Sequence, residues 1–340
     1  MSTNPTHTRR YVLAARPATT TGPLEDGVLR FEDDAPVAAL HDGQVLVKVG
    51  WLSLDVATRG WMNDVRNYLP PAPLGEAMRA LGAGVVTDSQ HPGFTAGDRV
   101  SGLLGWQEDA VVDGSALRKI PDGVPPQAAL HVLGISGQTA WFGLHDIGRP
   151  HAGETVVVTA AAGAVGSIAV QLAVAAGARV IGVAGTAGKC AQVRELGAAD
   201  CVNYREQDVE ATIAELAPDR VDVVFDNVGG AILDALLPQL AVNARVVLCG
   251  AVSRYAGSGP VPLRNWFHLL PNRVRMEGFI YLDHQDRFDV AEADLLPRVR
   301  RGELRCQEHV IDGLKAAPDG IRLLLTGTNN GKVLVKLDQD

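Results

Sequence analysis

Short apolar runs separated by turn residues recur along the whole chain, and their spacing changes near residue 127. From Arg10 to about Pro121, runs of apolar and β-branched residues are broken by Gly, Pro and Asp. This spacing predicts an irregular β-rich barrel or sandwich. The predicted strands in this part are Gln44–Val49, Gly82–Thr87, Gly97–Leu103 and Glu108–Val112.

From about Gln127 to Arg298, apolar runs of strand length alternate with segments of helical character. The alternation predicts an α/β fold with a Rossmann-type, doubly wound parallel sheet that binds ligand at the carboxyl ends of its strands. The predicted strands are Thr155–Thr159, Arg179–Ala184, Cys201–Asn203, Val221–Asp226, Ala244–Cys249 and Arg275–Ile280. The tail from Glu303 returns to strand character. We therefore predict one β-rich domain from residues 1–126 and 299–340, with residues 127–298 inserted as the Rossmann domain.

The strand Thr155–Thr159 enters a glycine turn, A-A-A-G-A-V-G-S, that leads at once into a predicted helix. Counted back from Gly166, the dinucleotide fingerprint reads A-x-G-x-x-G, with Ala161 in place of the first glycine. Free amide groups at a helix N-terminus and the helix dipole both favour a pyrophosphate. The predicted phosphate contacts are Ala161, Gly163, Ala164, Val165 and Gly166.

The end of the second strand of the Rossmann domain indicates which dinucleotide is bound. An NAD-binding chain normally has Asp or Glu about twenty residues after the last glycine, where it accepts from the ribose 2′-hydroxyl. Here the strand ends in Gly185 and Thr186, and the next charged residue is Lys189. A carboxylate would repel a 2′-phosphate, whereas a hydroxyl and an ammonium group would bind it. The predicted cofactor is NADP(H); the alternative is that Lys189 is a solvated helix residue.

Composition and charge exclude several classes of partner. The chain has 340 residues, 46% of them hydrophobic, and a formal net charge of −8 at pH 7 without any block of Lys or Arg. This balance argues against nucleic acid or an anionic membrane as a partner. The first ten residues contain no apolar signal region, and the cysteines have no short spacing, so we expect a cytoplasmic protein. No cysteine precedes Cys190, and His41 and His91 lack a spaced partner, so no metal site is expected.

A series of short motifs follows in order along the chain. They are L-S-L-D at Leu52–Asp55, P-L-G-E-A-M-R at Pro73–Arg79, H-P-G-F-x-x-G-D at His91–Asp98, L-G-W-Q at Leu104–Gln107, F-D-N-V-G-G at Phe225–Gly230, C-G-A-V-S-R-Y at Cys249–Tyr255, M-E-G-F-I at Met276–Ile280 and G-T-N-N-G-K at Gly327–Lys332. Together they resemble the medium-chain dehydrogenase/reductase superfamily, and within it the zinc-free group of prostaglandin reductases, leukotriene hydroxydehydrogenases and alkenal double-bond reductases. The resemblance implies a GroES-like catalytic domain around the Rossmann domain, and a homodimer for which the strand Arg275–Ile280 is a candidate pairing edge.

The resemblance also implies a reaction. The zinc alcohol dehydrogenases of the same superfamily use Cys and His ligands that the first domain here lacks. Without a Lewis acid, we expect hydride transfer from NADPH to the β-carbon of an enone or enal, followed by protonation of the enolate. Tyr255 is the predicted donor to the enolate oxygen, because it follows the strand ending at Cys249 and matches the family's tyrosine. Alternatively, Tyr255 packs a loop or contacts the cofactor. Quinone reduction and NADPH binding without turnover stay open as functions.

Further cofactor contacts follow from the resemblance. It implies that Lys189 and Tyr204 bind the 2′-phosphate and that Asn329 lies near the nicotinamide-side phosphate or ribose. Judged by residue type alone, Tyr204 is more typical of a core and Asn329 of a turn. The other predicted cofactor contacts are Gly185, Thr186, Asn227, Cys249, Gly250, Ala251, Tyr255 and Phe279.

The chain departs from the family directly after Asp55. Where relatives carry proline and a bulky side chain before the arginine, this chain has Val-Ala-Thr before Arg59. These smaller side chains would widen or reshape the substrate pocket, so prostaglandins are not carried over as the substrate. The predicted pocket residues are Asp55, Ala57, Arg59, Trp266 and Phe267, with core packing as the alternative for the two aromatic residues.

Overall fold

The computed structural model describes residues 4–257 and 261–337, and the chain divides into two compact units. Met1–His131 and Glu308–Asp340 form the first unit, and Val132–Gln307 forms the second. The first is built on antiparallel strands and the second on a parallel sheet, so the predicted α/β class is confirmed. The sequence places the domain boundaries after residues 126 and 298, and that division stays a prediction.

Strands and helices are irregularly distributed at first and alternate regularly later. In chain order, the strands are β1 (His7–Leu13), β2 (Leu29–Pro36), β3 (Gln44–Leu54), β4 (Leu81–Ser89), β5 (Arg99–Leu103), β6 (Asp109–Asp113), β7 (Leu117–Lys119), β8 (Thr155–Thr159), β9 (Arg179–Ala184), β10 (Asp200–Asn203), β11 (Val221–Asp226), β12 (Leu240–Leu248), β13 (Arg275–Gly278), β14 (Glu308–Asp312) and β15 (Lys332–Lys336). The helices are α1 (Ala57–Trp61), α2 (Pro126–Leu130), α3 (Ile135–Phe142), α4 (Ala164–Ala175), α5 (Ala187–Glu195), α6 (Val209–Leu216), α7 (Gly230–Leu236), α8 (Val252–Tyr255), α9 (Phe288–Arg300) and α10 (Ala317–Thr326).

In the first unit, β1 and β2 pair with each other, and the other strands form one sheet in the order β14-β15-β3-β4-β5-β7, with β6 also paired to β3. The pairs in this sheet are antiparallel except for β14 with β15. β3 lies at its centre, and Val45, Val47 and Leu52 on it are fully buried together with Trp106. Because β15 pairs with β3, the tail of the chain completes this sheet.

In the second unit, the described residues form a six-stranded parallel sheet in the order β10-β9-β8-β11-β12-β13. Val156, Val157 and Val158 of β8 are all fully buried, which is typical of a parallel strand covered on both faces. The chain leaves β8 in one direction for β9 and β10 and later returns to its other side for β11. The carboxyl ends of β8 and β11 therefore form the topological switch point at which such sheets bind ligands.

None of the helices in the described ranges is both long enough and apolar enough to cross a bilayer.

Candidate cofactor site and active site

The glycine turn between β8 and α4 has the geometry of a phosphate site. Gly163 occupies the N-cap position of α4, and no side chain in the described part of the chain caps this helix end. The N–H of Ser167 donates to the carbonyl of Gly163 at 2.9 Å, so the regular helical bonds begin only there. The first-turn amides and the helix dipole favour an anion at this end.

Close packing explains why the last glycine of the turn is a glycine. A Cβ on Gly166 would lie 2.3 Å from the carbonyl oxygen of Ala160, a separation that no side chain tolerates. Alanine fits at the first position of the fingerprint because the methyl group of Ala161 packs on Gly182 of β9. A Cβ added to Gly182 would lie 3.0 Å from that methyl group. The A-x-G-x-x-G variant therefore keeps the close approach of helix to strand that the fingerprint requires.

The residues predicted to select the 2′-phosphate are gathered at the ends of β9 and β10. Thr186 caps α5, and its Oγ1 accepts from the backbone N–H of Lys189 at 3.2 Å. The ring of Tyr204 covers Gly185, where a Cβ would lie 3.0 Å from the ring. The guanidinium carbon of Arg205 lies 5.8 Å from the centroid of the same ring. Arg205 was not predicted from the sequence. The signal that could have indicated it is a positive charge directly after the end of β10.

The electrostatics of this cluster suit a dianion. Burial, and then the positive charge of Arg205, lowers the pKa of the Lys189 ammonium. Two neighbouring cations repel each other in the free protein. An anion placed beside them offsets this repulsion and is therefore bound favourably. A 2′-phosphate supplies such an anion, so the side chains present fit NADPH.

A buried network around Asp226 fixes the switch point. The hydroxyl of Thr159 donates to Asp226 Oδ1 at 2.7 Å, and the N–H of Gly229 donates to Oδ2 at 2.8 Å. Asn227 Nδ2 donates to the carbonyl of Thr159 at 2.7 Å. Burial raises the pKa of the Asp226 carboxyl. The Asn227 amide is thus bonded to β8, and its predicted contact with the cofactor stays a prediction.

Tyr255, the predicted hydrogen-bond donor to the enolate oxygen, lies just beyond β12. The N–H groups of Cys249 and Gly250 both donate to the carbonyl of Asp226, at 2.8 and 3.1 Å. α8 follows after Ala251, and the hydroxyl of Ser253 holds it by donating to Val228 O at 2.7 Å. Tyr255 ends α8 and is half-buried, and burial raises the pKa of its phenol. The phenol therefore stays protonated at neutral pH and is able to donate.

Three predicted aromatic residues of the second unit differ in their surroundings. Phe279 follows β13 and packs against Gly143, where a Cβ would lie 2.9 Å from the ring. Trp266 and Phe267 lie on a short 3-10 helix and are 59% and 60% exposed. Trp266 and Phe267 therefore do not pack in a core of the described residues, and the core-packing alternative is wrong for both. Cofactor contact by Phe279 and substrate contact by the other two stay predictions.

The predicted residues of the first unit lie at the end of β3 and near the start of β15. Asp55 accepts from Lys332 Nζ at 2.5 Å and from the hydroxyl of Ser53 at 2.7 Å. Lys332 is 1% exposed and the Asp55 side chain is 21% exposed, so the ion pair is partly buried. Asn329 Nδ2 donates to Gly331 O at 2.8 Å, which is the turn role that its residue type favours. Contacts of Asp55 with substrate and of Asn329 with cofactor stay predictions.

Arg59 is buried within the first unit, on α1 together with Ala57. Its guanidinium donates to the carbonyls of Thr19 and Gly22 at 2.6 and 2.8 Å, and to Asn63 Oδ1 at 2.9 Å. These bonds order the loop before β2. The predicted contacts of Ala57 and Arg59 with substrate stay hypotheses.

Within residues 4–257 and 261–337, no group of three or more His, Cys, Asp or Glu side chains is placed to hold a metal ion. The expectation that the activity needs no zinc stays a prediction.

Comparison with known proteins gives consistent matches over nearly the whole chain. Residues 9–120 match a family described as the N-terminal domain of oxidoreductase, and residues 164–295 match one described as zinc-binding dehydrogenase. The NADPH-dependent curcumin reductase of Escherichia coli (strain K12) is 38% identical over 341 residues, covering 98% of this chain and 97% of that protein. The 2-alkenal reductase (NADP(+)-dependent) of Nicotiana tabacum is 34% identical, covering 87% and 88%. A crystal structure of CurA from Vibrio vulnificus in complex with NADPH has a TM-score of 0.90 at 35% identity, covering 98% of this chain and 100% of that one.

The chain belongs to the medium-chain dehydrogenase/reductase superfamily, as the sequence motifs predicted, and its relatives include prostaglandin, alkenal and curcumin reductases. It is an NADPH-dependent oxidoreductase, and the predicted cofactor is confirmed.

Proposed function

We propose that this oxidoreductase reduces the C=C bond of α,β-unsaturated aldehydes or ketones. When bound, NADPH supplies a hydride, which the electron-poor β-carbon of the substrate accepts. The observation that carries the proposal is a neutral, half-buried phenol, Tyr255, one short helix beyond the carboxyl end of β12. Relatives described as curcumin reductase and 2-alkenal reductase support the same substrate class.

The chain's own residues have three tasks in this reaction. The N-terminus of α4, Lys189 and Arg205 bind the phosphates and so fix the position of the cofactor. The network around Asp226 keeps the carboxyl ends of β8, β11 and β12 in register. Tyr255 donates from its phenol to the carbonyl oxygen as negative charge develops there, while solvent protonates the α-carbon. Positioning and this one hydrogen bond supply the catalysis, without a strong general base.

Two finer properties belong to the same proposal. Substrate size is set in part by the small side chain of Ala57, beside Asp55 and Arg59. The protein acts as a homodimer, because β13 is an edge strand of the parallel sheet and Trp266 and Phe267 are exposed nearby in sequence. Size-exclusion chromatography with light scattering should give twice the chain mass of 35.9 kDa.

The Tyr255→Phe variant tests the role of the phenol. Loss of one donor to a developing oxyanion reduces kcat by about 100-fold, whereas the Kd of NADPH should stay within about twofold. Steady-state loss of nicotinamide absorbance with an enal or enone measures kcat, and fluorescence titration measures the Kd. A Tyr281→Phe variant, which removes another half-buried phenol, serves as the control. Full turnover by Tyr255→Phe would remove Tyr255 from the mechanism.

A substrate panel separates the competing functions. Enals, enones and quinones are offered to the protein with NADPH, before and after dialysis against a chelator. The proposal predicts consumption with enals or enones and equal rates after dialysis. Consumption with quinones alone would identify a quinone reductase, and NADPH binding without any consumption would identify a binding protein. Activity lost on dialysis and restored by zinc would contradict the zinc-independent mechanism.

A further inference from the structure

Two buried cysteines of the second unit lie in contact. The Sγ atoms of Cys190 on α5 and Cys201 on β10 are 3.0 Å apart, and each residue is 3% exposed. Because a disulfide has an S–S distance of about 2.05 Å, the two sulfurs need to approach by only about 1 Å to be joined. Both are free thiols in this structure.

The surrounding packing holds these sulfurs together. Gly182 of β9 leaves room beneath them, because a Cβ there would lie 3.2 Å from the sulfur of Cys201. Arg194 of α5 donates to Asp200 Oδ1 at 2.9 Å and to the carbonyl of Cys201 at 3.1 Å. The helix and the strand are therefore tied to each other beside the thiol contact.

The thiol pair joins the two elements that carry the 2′-phosphate residues. Cys190 directly follows Lys189 in α5, and Tyr204 and Arg205 directly follow the end of β10. A closure of about 1 Å between the helix and the strand moves the ammonium, phenol and guanidinium groups relative to one another. Charged hydrogen bonds to phosphate are sensitive to such displacements because they depend on distance and direction.

We propose that Cys190 and Cys201 are a modification site for hydroperoxides, at which disulfide formation weakens the binding of NADPH. This proposal does not depend on which olefin or quinone the enzyme reduces. The weaker binding of NADPH after disulfide formation rests on the assignment of Lys189, Tyr204 and Arg205 to the 2′-phosphate.

The hydroperoxide is the only oxidant in this reaction. The sulfur of Cys190 attacks the peroxide oxygen and the O–O bond breaks; the leaving oxygen takes the thiol proton and departs as an alcohol or water, and Cys190 becomes a sulfenic acid. The sulfur of Cys201 then attacks that sulfur; the S–S bond forms, the S–O bond breaks, and water leaves with the proton of Cys201. Two thiols are oxidised and one hydroperoxide is reduced. The S–H of Cys201 donates to Cys190 Sγ, which leaves Cys190 as the sulfur that attacks first. Burial, and then the hydrogen bond to Cys190, raises the pKa of the Cys201 thiol.

The test uses the full-length protein with hydrogen peroxide as the probe. After treatment and alkylation of the remaining thiols, peptide mass spectrometry should find Cys190 linked to Cys201. The Kd of NADPH, measured by fluorescence titration, should rise at least about tenfold and return to its starting value with dithiothreitol. The Cys201→Ser variant should show no such rise, whereas Cys306→Ser should respond like the unmodified chain. Thermal unfolding of each variant verifies that it is folded, and Cys190→Ser serves in place of Cys201→Ser if that variant unfolds.

Each other outcome overturns the proposal. Peroxide that oxidises Cys249 or Cys306 while Cys190 and Cys201 stay unlinked excludes the modification site. A complete Cys190–Cys201 disulfide with an unchanged Kd excludes its effect on the cofactor. Because the measurements are a covalent link and a binding constant, failure here leaves the enone reductase proposal intact, and the reverse also holds.

Discussion

Burial, and then the nearby positive charge of Arg205, lowers the pKa of Lys189. If both bind the 2′-phosphate, replacing either with Gln removes a charged hydrogen bond that contributes about 1.5–3 kcal/mol. We expect Lys189→Gln and Arg205→Gln each to raise the Kd of NADPH by about 10- to 150-fold. The Kd of NADH, which lacks the phosphate, should change less than about twofold. Fluorescence titration with both dinucleotides measures the two constants.

Arg220→Gln is the matched control for this pair of variants. Arg220 lies immediately before β11, at the amino edge of the parallel sheet and so opposite to the phosphate turn. Its replacement should leave both constants unchanged. Equal losses of NADPH and NADH affinity in Lys189→Gln would contradict the assignment of Lys189 to the 2′-phosphate.

For single residues, the sequence predicted the chemical role of a side chain better than it predicted which atoms that side chain contacts. Lys189 was predicted because a missing carboxylate is visible in the sequence, whereas Arg205 required knowledge of which strand lies beside β9. Asp226 was within a recognised motif, but the sequence does not show that Thr159 and backbone amides occupy its oxygens. Arg59 was predicted to touch substrate, and its bonds to loop carbonyls about forty residues earlier were not visible in the pattern.

At the scale of elements, an ion pair holds the start of β8 to β12. Arg245 donates to both carboxylate oxygens of Glu154, at 2.8 and 2.7 Å, and these bonds lower the pKa of the Glu154 carboxyl. A lowered folded-state pKa stabilises the fold above the unfolded-state value of about 4.3, and that stability is lost as the pH falls through the folded-state pKa. We expect Glu154→Gln to lower the free energy of unfolding by about 1 kcal/mol at pH 7, or about 2 °C in Tm, and by less near pH 3.

Thermal unfolding of Glu154→Gln at pH 7 and pH 3 checks this expectation. Glu215→Gln is the control, because Glu215 is exposed on α6. The control should follow the unmodified chain at both pH values. A Tm difference in Glu154→Gln that stays the same size at pH 3 would show that the pair is not responsible.

The strands of the parallel sheet were predicted well because each is a short apolar run between turn residues. β8 and β11 begin and end at the predicted residues, whereas β12 begins at Leu240 instead of the predicted Ala244. β2 was not predicted, since L-R-F-E-D-D-A-P is largely polar and its pairing with β1 depends on a distant segment. α10 was also missed, although Pro318 near its start and Gly327 at its end, with a φ of +65°, are ordinary helix boundary signals.

At the scale of the whole molecule, the order of motifs was more informative than any one of them. The A-x-G-x-x-G turn alone is a weak signal, but the strand before it, the helix after it and the later F-D-N-V-G-G segment define one kind of sheet. The fold class, the family and the cofactor followed from that order. Substrate identity did not, because it depends on pocket shape, and the chain departs from its relatives after Asp55.

We expect hydride to reach the β-carbon of an unsaturated carbonyl compound while the carbonyl group is retained. The most direct test is a single incubation of the protein with a simple enone and NADPH that carries deuterium at the transferred position of nicotinamide C4. Nuclear magnetic resonance of the product should show a saturated ketone, with deuterium at the β-carbon and a solvent proton at the α-carbon. Deuterium on the carbonyl carbon of an allylic alcohol would contradict the account.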